Sequence, residues 1–102
     1  MTKLIALYKK PADVEAFDRH YFEKHVPLAK KLPGLRRYEV NADAIASPQG
    51  ESAYHLIATL HFDSMAAVQA AFASPEGKAA AGDLANFGQA GVELMFFDSK
   101  DV

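Results

Sequence analysis

The chain has no cysteine. Disulfides, thiolate metal sites and a cysteine nucleophile are therefore excluded. It has no surplus of positive charge either. The formal net charge is −2, whereas a nucleic-acid binder carries a basic stripe, so no nucleic-acid partner is expected. Long apolar runs are missing too. The opening MTKLIALYKK holds only Leu4 to Tyr8, too short for a signal-peptide core. Nothing approaches the roughly 20 apolar residues of a membrane span. The expectation is a soluble cytoplasmic protein with no membrane partner.

Several chemical signatures are also absent. There is no glycine-rich phosphate loop, no Walker pattern and no nucleophile elbow. Ser64 and Ser74 read as helix caps. Flavin and nicotinamide sites are not apparent. His20 and His25 are five residues apart, not at the spacing of four that pairs metal ligands on a helix. His55 and His61 share a strand face about 20 Å apart. No cofactor and no metal are expected.

What is present is one ordinary domain of 102 residues, half of them apolar. A chain this short buries proportionally little surface, which favours self-association. Lys3 to Tyr8 reads as a strand, closed by Lys9, Lys10 and Pro11. Asp13 offers an N-cap. Val14, Phe17, Tyr21 and Leu28 then follow helical spacing, and Pro33-Gly34 stops that helix. Leu35 to about Ala46 reads as a second strand, and Ser47 to Gly50 as a turn. Ala53 to Phe62 alternates as a third strand. Asp63 or Ser64 caps one helical piece and Ser74 the next, with Pro75 at a first helical position. Val92 to Phe97 is the last strand.

The order strand, helix, strand, strand, helix, strand predicts the α+β class. It is the split β-α-β-β-α-β pattern of ferredoxin-like folds, an antiparallel sheet with helices on one face. There are no repeats and no linker, so residues 1–102 form a single domain. Both sheet faces carry apolar groups. Tyr54, Leu56, Ala58, Leu60 and Phe62 should meet the helices, while His55, Ile57, Thr59 and His61 point away. Helices cover one face, so Ile5, Leu7, Ile57, Met95 and Phe97 need another cover. A second copy packed sheet to sheet supplies one. A turn at Pro48 to Gly50 sets Tyr38 beside Leu60 and Val40 beside Ala58, with Arg37 near His61 and Glu39 near Thr59.

The stretch HYFEKHVPLAKKLPGLRRYEV, from His20 to Val40, is the most informative. At about 100° per residue, His25 falls within or at the edge of the buried stripe. His20 falls on the opposite flank. Pro27 cannot donate to the Glu23 carbonyl, so the helix should bend or loosen beside His25. A buried imidazole either binds a carbonyl as a structural group or exchanges protons near neutral pH. Tyr38 shares its layer, as a core tyrosine or as a donor to a developing oxyanion. Tyr8, Tyr21 and Tyr54 add phenols to the same layer. The sum is a small apolar pocket for a flat, weakly polar ligand. Arg36 shares the parity of Tyr38 and either receives an anionic substituent or reaches solvent.

The same stretch resembles the EthD family, named for ethyl tert-butyl ether degradation. In that family a histidine and a Pro-Leu run lead to PGL and a strand tyrosine. The later SPEGKAAAGDLANF is similar to the family's second-helix segment. The likeness implies a dimeric α+β barrel and a role in catabolism. The related methylmuconolactone methylisomerase family is similar here and uses a histidine and a tyrosine at matching places. Carried over, these are His25 and Tyr38 as catalytic residues; the layer and parity reading adds Tyr8, Tyr21, Tyr54 and Arg36 as ligand contacts. Two functions stand open. One is a cofactor-independent isomerase, cyclase, dehydratase or oxygenase acting on a small cyclic or aromatic compound. The other is a binding or accessory protein for a hydrophobic metabolite.

Overall fold

Strand β1, Thr2–Lys9, alternates buried and half-buried residues along its length, as a strand with two different faces must. The computed structural model describes residues 1–102. After β1 come α1 (Val14–His20), a wide turn (Tyr21–His25), α2 (Val26–Ala29) and β2 (Arg37–Val40). A small hairpin of β3 (Ala46–Ser47) and β4 (Gly50–Glu51) leads to β5 (Tyr54–Phe62). Then follow α3 (Met65–Ala73), α4 (Pro75–Phe87) and β6 (Val92–Asp98). The main sheet is antiparallel in the order β2-β5-β1-β6. This is the ferredoxin-like α+β arrangement read from the sequence. The expected second strand is shorter than foreseen, because the chain leaves the sheet after Val40 to build the hairpin.

The caps fall where the sequence put them. Asp13 accepts from the Ala16 amide at 3.0 Å, Ser64 from Ala67 at 3.1 Å and Ser74 from Gly77 at 3.0 Å. The register of β2 on β5 is also as expected, with Tyr38 opposite Leu60, Val40 opposite Ala58, Arg37 opposite His61 and Glu39 opposite Thr59. Leu4, Ala6, Leu56, Leu60 and Phe62 are buried under Phe17, Tyr21, Val68 and Phe87 of the helices.

Two parts of the sheet differ from expectation. At the start of β5, Tyr8 pairs with Leu56 but Lys9 pairs with Tyr54, so His55 is an extra residue. Such a bulge reverses the facing of everything before it. His55 therefore turns to the helix side, where Nε2 lies 2.8 Å from Asp18 Oδ1. Tyr54 turns to the open face, where its hydroxyl donates to Glu93. Strand β6 is exposed on both faces. Leu94 and Phe96 on the helix side and Met95 and Phe97 on the other each keep over two fifths of their surface in solvent. The helices cover this edge only in part: Phe72 of α3 meets Phe96 edge to face, 6.2 Å between ring centroids.

Candidate functional site

The site begins with Pro27. It has no amide hydrogen, and its ring would collide with the Glu23 carbonyl in a regular α-turn. The turn before it widens instead: the Val26 amide donates to the Tyr21 carbonyl, five residues back. In an unbroken α-helix His20 and His25 would stand about 140° apart. The wide turn removes that separation. Both rings face α4 and meet one carboxylate, that of Asp83. His20 is therefore not on the opposite flank. Val14, expected in the stripe, is exposed, while Tyr21 and His25 are buried.

Asp83 is buried and fully occupied. Its Oδ2 lies 3.0 Å from His25 Nδ1, and its Oδ1 lies 2.8 Å from His20 Nε2. The Asn86 amide donates to Oδ1 at 2.9 Å. Burial pushes the carboxyl pKa up, but the donors Asn86, His20 and His25 bring it below the usual value. Asp83 is thus an anion, which accepts hydrogen bonds and donates none. His25 must present Nδ1–H to it, and the lone pair of Nε2 is left free. Burial lowers the His25 pKa below 6.5, and Asp83 offsets only part of that. The imidazole is neutral at pH 7. The ring of Phe87 wedges against it, 4.7 Å between centroids.

His25 borders a cavity of about 110 Å³ between the helices and the sheet. An engineered apolar cavity of ~150 Å³ takes up benzene, so this space suits one small ring. Alanines make the room: Ala6 and Ala58 on the sheet, Ala29 and Ala80 on the helices. Three phenols enter it, from Tyr8, Tyr21 and Tyr38. Tyr21 and Tyr38 share a hydrogen bond through their hydroxyls. Burial raises the pKa of both, Tyr21 far more strongly, while the bond from Tyr21 offsets part of the rise at Tyr38. Either hydroxyl can donate in that bond, which ties the two phenols together at the cavity wall. Tyr8 is almost wholly buried and lines the cavity. Burial raises its pKa as well.

Of the residues singled out from sequence, His25, Tyr38, Tyr8 and Tyr21 come together here. Tyr54 does not, because the bulge turns it away. Arg36 does not either. It lies just before β2, exposed, and pairs with Asp63 at 2.7 Å. No arginine or lysine lines the cavity. Asp83 was missed. Its signal was its position: three residues after Ala80 and four before Phe87, on the stripe that α4 buries.

The EthD domain family matches residues 9–90, and the chain belongs to that family. It is 43% identical over its full length to an "uncharacterized 11.0 kDa protein in thcB-thcC intergenic region" of Rhodococcus erythropolis, covering 98% of that protein. It is similar to the crystal structure of an EthD family protein from Bacillus halodurans, with 41% identity, a TM-score of 0.91, and 98% of this chain and 99% of that one covered. More distant structures share the fold alone. SnoaB of Streptomyces nogalater, described as a cofactor-independent oxygenase, has 16% identity and a TM-score of 0.65, over 99% of this chain and 94% of that one. A protein of Bacteroides fragilis described as dimeric, with a ferredoxin-like fold, has 21% identity and a TM-score of 0.66, over 96% and 95%.

Proposed function

We propose that this chain binds one small neutral ring compound and moves a proton on it without a cofactor. The observation that carries the reading is the free Nε2 of His25, bordering an apolar cavity and backed by a buried carboxylate. His25 Nε2 takes a proton from carbon or oxygen next to a ring carbonyl or hydroxyl. The imidazolium formed lies against Asp83. The Tyr38 proton meets the oxygen on which negative charge develops, with Tyr21 steadying the phenol, and Tyr8 offers a second donor. General acid–base help of this kind contributes about 10²–10⁴-fold. An isomerase, a cyclase, a dehydratase and an oxygenase of cofactor-independent type all begin with such a step. The cofactor-independent oxygenase of the same fold is compatible with it.

The cavity selects by charge as well as by size. It holds no cation, and Asp83 stands behind its base. A carboxylate ligand would lose its hydration with nothing in return. Lactones, phenols, quinones and cyclic ketones fit these demands. Thermal-shift measurements test this: neutral rings raise the melting temperature, since they prefer the folded state, and their carboxylated analogues do not. His25→Gln retains the shift and loses turnover. The binding-protein reading takes its place if no ring compound is turned over and His25→Gln binds as well as the parent.

The active unit in this reading is a homodimer formed through the open sheet face. Ile5, Leu7, Ile57, Met95 and Phe97 share that face by register, and the partner's sheet covers them. The dimeric protein of the same fold supports this.

A further inference from the structure

Asp83 has two sides. Through Oδ2 it holds His25, which borders the inner cavity. Through Oδ1 it holds His20, whose side chain is 27% exposed. His20 and Asn86 line a separate surface cleft of about 590 Å³, between the start of α1 and the end of α4. Phe87 stands between the two spaces. Its ring centroid is 4.7 Å from that of His25 and 5.1 Å from that of His20. A wall separates cavity from cleft, and one carboxylate connects them.

We propose that Asp83 and His20 are positioning residues for His25: the carboxylate locks the His25 tautomer, and His20, bound to the same carboxylate from the outer cleft, sets how strongly His25 holds a proton. The proposal deepens the reading of His25 as the cavity base and rests on it. A neutral imidazole has one N–H. Facing an anion, that N–H must sit on Nδ1, so Nε2 is the base. Asp83 is also the counter-ion of the imidazolium that forms when His25 accepts a proton. When His20 is itself protonated, it draws on the same anion and adds a like charge nearby. Both effects weaken proton binding at His25. Outer pH and cleft occupancy thus reach His25 through Asp83. The other titratable groups facing His25 are Tyr8 and Tyr38 from the sheet and Tyr21 from its own helix segment. Burial raises all three phenols, so they stay neutral where His25 gains its proton.

The test is an NMR titration of the histidine ring nitrogens in the full chain, with ¹⁵N label, for the parent, Asp83→Asn and His20→Gln. The parent shows His25 protonated at Nδ1 when neutral. Asp83→Asn shifts it toward the Nε2–H form and lowers its titration midpoint by about one unit or more. His20→Gln folds even where Asp83→Asn does not, because His20 is partly exposed. It keeps the tautomer and raises the His25 midpoint. A purely structural histidine pair would leave the midpoint in place. An Nε2–H tautomer in the parent, or a midpoint in His20→Gln equal to the parent's, overturns the inference. A correct tautomer with coupled titration, but no proton abstraction from bound rings, sinks the base reading alone.

Discussion

His25 and Asp83 stand 58 residues apart in the chain, yet Nδ1 of one lies 3.0 Å from Oδ2 of the other. The contact closes α4 over the widened turn and makes the imidazole a one-sided base. It should show itself in stability against pH. The folded His25 resists protonation until below 6.5, while the unfolded chain takes up that proton near 6.5. The unfolded state then binds more protons, and stability falls as pH drops from about 6.5 through the folded value. Asp83 adds a second loss at lower pH. Its folded pKa lies below 3.8, so its contribution is present above that value and vanishes as pH falls through the folded one. Urea midpoints measured from pH 8 downward should show both declines. In His25→Gln the upper decline flattens and the lower one persists.

Filling the cavity separates binding from folding. Ala80 is buried and lines the void. Ala80→Leu adds about three carbons to a space that can hold them, so stability should stay within about 1 kcal/mol of the parent. The thermal shift caused by neutral ring compounds should disappear. A melt with and without a saturating phenol or lactone reads both effects.

The sheet face carries a different expectation. Met95 keeps 44% of its surface in solvent, so Met95→Glu costs the isolated subunit little. Between two packed sheets a carboxylate would lose its water without a partner. Sedimentation velocity should show a monomer for Met95→Glu and a dimer for the parent, with similar far-UV circular dichroism.

Gly77 tests the corner that aims Asp83. A Cβ there would stand 2.1 Å from the Ala71 carbonyl oxygen and 2.5 Å from the Phe72 Cα. Backbone atoms cannot yield without opening the junction of α3 and α4. Gly77→Ala should destabilise by about 3 kcal/mol, measured as a fall in the urea midpoint. The ring shifts of His25 should move with it, since α4 carries Asp83.

Much of this was open to reading in the chain. Alternation in Leu56 to Phe62 and the turn at Pro48 to Gly50 lead to the correct register of Tyr38, and the capping residues mark the helix starts. Pro27 pointed to a loosened helix. The extent of that loosening was hidden, because an ideal period of 100° per residue cannot represent a turn closed five residues back. That error put His20 on the wrong side and hid its carboxylate. The bulge at His55 was hidden for a similar reason. One extra residue leaves the alternation of the sequence intact while reversing its facing, so Tyr54 was assigned to the wrong layer. Arg36 obeyed parity, but the nearby Asp63 offered it a partner in solvent.

The most direct measurement is hydrogen exchange at carbon in a bound ring. A small cyclic ketone is incubated with the full chain in D₂O, and deuterium beside the carbonyl is followed by mass spectrometry, with binding checked by NMR. A poised His25 and a Tyr38 donor should exchange those hydrogens about 10²–10⁴-fold faster than buffer. The rate should drop to background in His25→Gln and partway in Tyr38→Phe. Ketone seen bound in the cavity, yet exchanging no faster than in buffer alone, would contradict proton transfer at this site.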